Sequence, residues 1–204
     1  MSELPTAAMV DVALALHGRE LPRDHRLLLA RALTDVLPWL ADEPLASVHP
    51  VKVVQGLGES ALLPARARLL LRVPRERAEA LDALAGRSLR VGDSTIEIGE
   101  SQPRELLPHA TLYAHFVDAD DQDEAAFLTR VADELKTLDA ACHSVCGRAQ
   151  SVRGPAGLLH GFSLMLHGLR AAASMRILEQ GLGGHRLMGC GVFVPHKSAA
   201  AVGD

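Results

Sequence analysis

Aromatic rings are scarce: the 204 residues hold one Trp, one Tyr and four Phe. Any core must therefore be aliphatic, and a hydrophobic content of 48% can supply one. Sheets that read nucleic acid by stacking do so on aromatic side chains. The chain has no match to the aromatic RNP motifs, so base stacking by a sheet is not expected. Cysteine is also rare, and an odd set (Cys142, Cys146, Cys190) argues against a disulfide framework. No apolar run reaches the roughly 20 residues that span a bilayer. The N-terminus lacks the charged start and cleavage site of a signal peptide. A cytoplasmic protein with no membrane partner is expected. A Gly-Lys-Ser/Thr string is missing too, which excludes a nucleotide-triphosphate loop.

What is present is unevenly spread. The formal net charge is only −4, yet residues 105–141 carry nine acids and two bases. Residues 142–204 carry six bases (Arg148, Arg153, Arg170, Arg176, Arg186, Lys197) against two acids (Glu179, Asp204). Such asymmetry suggests a local anionic partner. The basic third also holds Gly181-Leu182-Gly183-Gly184-His185-Arg186-Leu187-Met188-Gly189-Cys190-Gly191, five glycines in eleven residues. Successive backbone N–H groups in such a stretch can form an anion-binding concavity, with Arg186 as a side-chain clamp. A dinucleotide fingerprint places its glycines between strand and helix; here the order is helix, glycines, strand. The Arg-x-x-Gly-x-Gly string (Arg186 to Gly191) is similar to the acetyl-coenzyme A loop, but Val192-Phe193-Val194-Pro195 does not open the helix that such a loop needs. A plain turn is the bland alternative.

Residues 9–17 alternate, with Val10, Val12, Leu14 and Leu16 on one face, as in a half-buried strand. Asp24–Ala41 has helical spacing, with Pro22 and Asp24 as start residues and Pro38 placed to end it early. His49–Val54 reads as a short strand and 56–64 as a loop. Residues 67–73 alternate again, giving a strand with Arg68 and Arg72 on a basic outer face. A helix over Arg75–Ala85 closes at Gly86. Leu89–Ile98 is a hairpin turning at Gly92-Asp93. Residues 102–108 read as a linker. The order then repeats: strand Thr111–Val117, helix Glu124–Asp139, an irregular segment 142–157 with 150–153 extended, strand Gly161–His167, helix Arg170–Gln180, and the glycine stretch with strand 192–194. Strand-helix-strand-strand-helix-strand is the ferredoxin-like order. The expected fold is α+β, two tandem ferredoxin-like (RRM-like, βαββαβ) folds with a C-terminal glycine-rich loop, in domains 1–101 and 102–204.

A tandem ferredoxin-like chain ending in Gly-x-Gly-x-x-Arg-x-x-Gly-x-Gly (Gly181 to Gly191) and a hydrophobic strand resembles the CRISPR-associated repeat-processing endoribonucleases, the Cas six family of the RAMP superfamily. The ending is most similar to the branch found in myxobacterial type I systems. Leu21-Pro22-Arg23-Asp24-His25-Arg26, opening the first helix, carries the resemblance at the N-terminus. It implies cleavage of precursor CRISPR RNA within each repeat, beside a stem-loop, with no metal and no cofactor. The ribose 2′-OH attacks the adjacent phosphate, leaving a 2′,3′-cyclic phosphate and a 5′-OH. The partners implied are the repeat RNA and other Cas proteins of an interference complex.

That reaction needs one group to take the 2′-OH proton and one to protonate the 5′-oxygen, tasks that suit histidine. His25 is the candidate, with His17 and His49 as rivals. Arg23, Arg26, Arg148, Arg153, His185, Arg186 and the loop glycines Gly183, Gly184, Gly189 and Gly191 are the candidate RNA contacts. Cys142, His143 and Cys146 lack an evident fourth metal ligand, and Tyr113 reads as packing. Two other functions remain open: a non-cleaving RNA-binding subunit of a CRISPR surveillance complex, and an acyl-coenzyme A or other small-ligand enzyme.

Overall fold

The computed structural model describes residues 7–56, 58–120 and 122–197. The chain forms two compact units, Met1–Glu105 with Leu187–Gly189, and Leu106–Arg186 with Cys190–Asp204. The division falls a few residues later than the sequence suggests, and three residues of the glycine stretch belong to the first unit.

The first unit contains β1 (Met9–His17), β2 (Glu20–Pro22), α1 (Arg26–Val36), β3 (Ser47–Val48), β4 (Val54–Gln55), β5 (Ser60–Leu62), β6 (Arg68–Pro74), β7 (Ser88–Val91) and β8 (Ser94–Glu105). Its main sheet has the order β3-β6-β1-β8-β7, with antiparallel pairing throughout. β2, β5 and β4 form a small second sheet. The alternation of β1 works as the sequence predicts: Val10, Val12, Leu14 and Leu16 meet Leu69, Leu71 and Val73 of β6 in a buried cluster with Leu29 and Leu33 of α1. Each such side chain contributes about 1.5–3 kcal/mol when fully buried.

The second unit contains β9 (Thr111–Ala119), α2 (Glu124–Thr137), β10 (His143–Gly154), β11 (Gly157–His167), α3 (Ala171–Gln180) and β12 (Phe193–Pro195), with sheet order β10-β11-β9-β12. Leu112, Ala114, Phe116, Leu164, Leu166 and Phe193 make the buried face. Asp123 caps α2 by accepting from the backbone N–H groups of Ala125 and Ala126, at 2.9 and 3.2 Å. In the second unit the first strand, β9, lies between β11 and β12 with β10 outside β11, and in the first unit β1 lies in the same way between β6 and β8 with β3 outside β6. The chain is therefore α+β, two ferredoxin-like folds in tandem.

Several local expectations are corrected. α1 stops at Val36, because Pro38 has no N–H to continue it and opens a 3₁₀ turn, Pro38–Ala41. His25, not Asp24, occupies the N-cap of α1 and makes no side-chain cap bond. Arg75–Leu84 is 3₁₀ rather than α-helical. The strand expected at 49–54 is two short pieces, β3 and β4, on either side of it. The supposed linker 102–108 begins inside β8, whose Glu105 still pairs with Val10. The irregular segment 142–157 is a long strand, β10, antiparallel to β11. Arg72 does not lie on a basic outer face: it is 1% exposed. Its Nε and Nη2 donate to Asp11 at 2.7 and 2.9 Å, a bidentate pair between strands whose register places the two residues opposite each other.

Candidate active site

The start of α1 builds a recess in the first unit. It is a shallow depression, lined by His25 and Arg26, by Val48 at the end of β3 with His49 and Pro50 after it, and by Leu187 and Met188 from the glycine stretch. Gly189 seals the arrangement. Its φ is +74°, and an added Cβ would stand 2.9 Å from the Val48 oxygen and 3.0 Å from Pro50, so only glycine fits. The Gly189 carbonyl accepts from Arg26 Nη1 at 3.4 Å.

His25 is 5% exposed. Its Nδ1 lies 3.0 Å from the Pro22 carbonyl oxygen. A carbonyl oxygen only accepts, so Nδ1 carries the proton and donates. That tautomer leaves a lone pair on Nε2, which is buried and has no hydrogen-bond partner. Burial, the largest influence, holds the ring's pKa below the ordinary 6.5; Arg26 acts in the same direction, while the Pro22 carbonyl and Asp24 oppose it. The positive end of the α1 dipole also disfavours the imidazolium. A neutral ring with a bare, desolvated Nε2 is a proton acceptor near neutral pH.

Of the two rival histidines, the recess takes one. His49 lies in the loop after β3, where its backbone N–H donates to Leu70 at 2.9 Å. Its Nε2 lies 3.3 Å from Asp11 Oδ1. Asp11 feels burial most strongly, which pushes its pKa up, but the hydrogen bonds from His49 and Arg72 outweigh it and hold the carboxyl well below the usual range. The carboxylate accepts, so it fixes the tautomer and aim of His49. His17 ends β1, exposed and over Gly99, and does not line the recess. Sequence reasoning missed Asp11 and Arg72; the sole signal was two opposite charges on adjacent strands.

The glycine stretch serves its own shape. Arg186 is buried, and its guanidinium donates to the backbone carbonyls of Gln180 and Glu179, the latter at 3.1 Å, at the negative end of α3. Gly183 N–H donates to Glu134 Oε2 and Gly184 N–H to Asp118 Oδ1, both at 2.9 Å. Two amides expected to face a phosphate thus hold carboxylates. Gly191, at φ +65°, donates to Phe116 O at 2.7 Å, and a Cβ there would collide with the Leu182 carbonyl. His185 is the exposed polar side chain of the loop, itself at φ +57°.

Among the remaining candidates, Arg23 is exposed near the start of α1 and reaches Gly56 O at 3.5 Å. Arg148 and Arg153 are exposed on β10. Cys142 and Cys146 are partly buried free thiols whose pKa values burial raises. Among the described residues, no three His, Cys, Asp or Glu side chains group as a metal would need. No helix among them is long and apolar enough to cross a membrane.

Comparison with known proteins adds four findings. The family described as Cas6 Crispr matches residues 10–198. The chain is 34% identical over 194 residues to the CRISPR-associated endonuclease Cas6 of Myxococcus xanthus (strain DK1622), covering 95% of this chain and 84% of the relative. Among solved structures it is similar to a CRISPR associated protein Cas6, with TM-score 0.66 and 13% identity, covering 93% of this chain and 100% of the other. It is also similar to a RAMP protein binding different RNA substrates, with TM-score 0.64 and 10% identity, covering 90% and 98%.

Proposed function

The chain belongs to the Cas6 CRISPR family, and from that premise we propose that it cleaves precursor CRISPR RNA within each repeat, with His25 as the group that takes the 2′-OH proton. The observation that carries the assignment is the His25 ring itself: Nδ1 anchored on Pro22, and Nε2 without a hydrogen bond in a ring that lines the recess with Arg26 and His49.

The 2′-oxygen attacks the adjacent phosphorus as its proton passes to His25 Nε2. The bond from phosphorus to the 5′-oxygen breaks, leaving a 2′,3′-cyclic phosphate and a 5′-OH. The departing 5′-oxygen needs a proton; His49 lines the same recess and, with its Nε2–H held on Asp11, gives one from Nδ1 when the ring enters the step doubly protonated. Arg26 lines the recess and supplies positive charge for the phosphorane. Each proton-transfer group contributes roughly 10²–10⁴-fold. Arg23, Arg148, Arg153 and His185 are exposed and serve as RNA contacts. Arg186, Gly183, Gly184, Gly189 and Gly191 keep the loop in shape, so their part in RNA binding is indirect. Other Cas proteins are partners in this reading, and the cytoplasm is its place.

The test is cleavage of the repeat of its own CRISPR array by purified protein in EDTA. A single cut ending in a cyclic phosphate is expected, and His25→Ala should bind the repeat without cutting it. Bound but intact repeat with the wild-type protein would instead identify a non-cleaving subunit. Thermal stabilisation by coenzyme A but not by RNA would identify a small-ligand enzyme.

A further inference from the structure

The face of the second unit's sheet that points away from its buried side carries four imidazoles on either side of Tyr113. The antiparallel register aligns His143, His167 and Thr111 across β10, β11 and β9, and the His196 N–H donates to Thr111 O at 3.1 Å, extending that row. The neighbouring row is Val145, Met165, Tyr113 and Val194. His115 lies two residues beyond Tyr113 on the same face. The rings are mutually packed. His143 and His167 stack with centroids 5.1 Å apart and planes at 28°. Tyr113 meets His115 edge-on at 5.0 Å and His196 at 5.4 Å. His115, His143 and His196 are exposed, and Val145 is 45% exposed.

From this juxtaposition we infer that the outer face of the second sheet is a stacking platform for unpaired nucleotides of the repeat RNA. The scarcity of Trp, Tyr and Phe argued against stacking, but four imidazoles and the single tyrosine bring five rings to one sheet face. Every unpaired base offers a π-face to such rings, whereas paired bases keep theirs inside the duplex. Charge fits the same occupant. No carboxylate stands in either row, Lys197 follows His196, and Arg148 is exposed on β10. The inference rests on the nuclease reading for the identity of the RNA, while the residues concerned lie outside the proposed catalytic set.

Fluorescence anisotropy in EDTA at one fixed salt concentration, with three RNAs, tests it: the intact repeat, its stem-loop alone and its unpaired flank alone. Tyr113→Leu and the double variant H143Q/H167Q should each bind the flank-bearing RNAs about tenfold more weakly, the scale of one lost base stack. Both should bind and cut the stem-loop as the wild type does, and Tyr113→Phe, which keeps the ring, should keep its affinity. An unchanged thermal midpoint shows that a variant is folded. If the variants bind all three RNAs like a wild type that cuts the repeat, the platform is overturned and the nuclease reading stands. If the wild type binds the flank but neither binds nor cuts the stem-loop, the nuclease reading falls and the platform stands.

Discussion

The recess beside α1 and the glycine stretch are both rich in polar groups, yet they treat them oppositely. In the stretch, two amides and the Nη groups of Arg186 find partners within the second unit: Gly183 on Glu134, Gly184 on Asp118, and the two Nη groups on the last carbonyls of α3. In the recess, His25 Nε2 is buried with no hydrogen bond. An unmet buried polar atom costs about 1–3 kcal/mol, so it persists where something else requires it. Ser47 Oγ, Arg176 Nε and Arg186 Nε share that state, so burial without a hydrogen bond does not mark chemistry alone; His25 Nε2 differs as the lone-pair base among them that lines the recess.

The sharpest way to break that contrast is to remove each side in turn. His25→Ala should lower single-turnover cleavage by roughly 10²–10⁴-fold and leave repeat binding nearly unchanged. A loss confined to binding would move His25 from chemistry to recognition. Next in size is Asp11→Asn. Arg72 is 1% exposed, and breaking such a buried pair costs about 3–5 kcal/mol, so urea unfolding should show a large loss of stability together with slower cleavage. The pH dependence has a fixed sign. The folded-state pKa of Asp11 lies below its usual 3.8, so its contribution is complete above that value and is lost as pH falls below it. Acid unfolding monitored by circular dichroism should therefore begin at higher pH in Asp11→Asn than in the wild type. Smallest is Glu134→Gln, which weakens the hydrogen bond to Gly183 and removes a partly exposed ion pair with Arg130, and should lower stability by about 1 kcal/mol. A fall in cleavage as large as that of His25→Ala would mean that the loop carries chemistry after all.

The same contrast explains what the sequence could and could not tell. Alternation along β1 and the Gly92-Asp93 turn were legible because each depends on neighbours in the chain. So were His25 at a helix start and His49 as its rival. Most of β10 was not, only 150–153 reading as extended: its residues are polar on both faces, and a bulge between Cys146 and Ala149 breaks the period. Arg72 was misread because an arginine in an alternating strand looks solvated unless its cross-strand partner is known. The loop amides were misread for the same reason, since Glu134 and Asp118 are 49 and 66 residues away in the chain. Local pattern identifies elements; satisfaction of polar groups across the fold identifies which of them are left for a ligand.

The account turns on a neutral His25 with its lone pair on Nε2. Site-resolved NMR titration of the His25 ring, set beside the single-turnover pH–rate profile for repeat cleavage, tests this directly. The predicted result is that His25 titrates below 6.5 and that cleavage falls away on the acid side with the same apparent pKa. A His25 ring that is protonated above 6.5, or a rate profile that ignores its titration, would contradict the account.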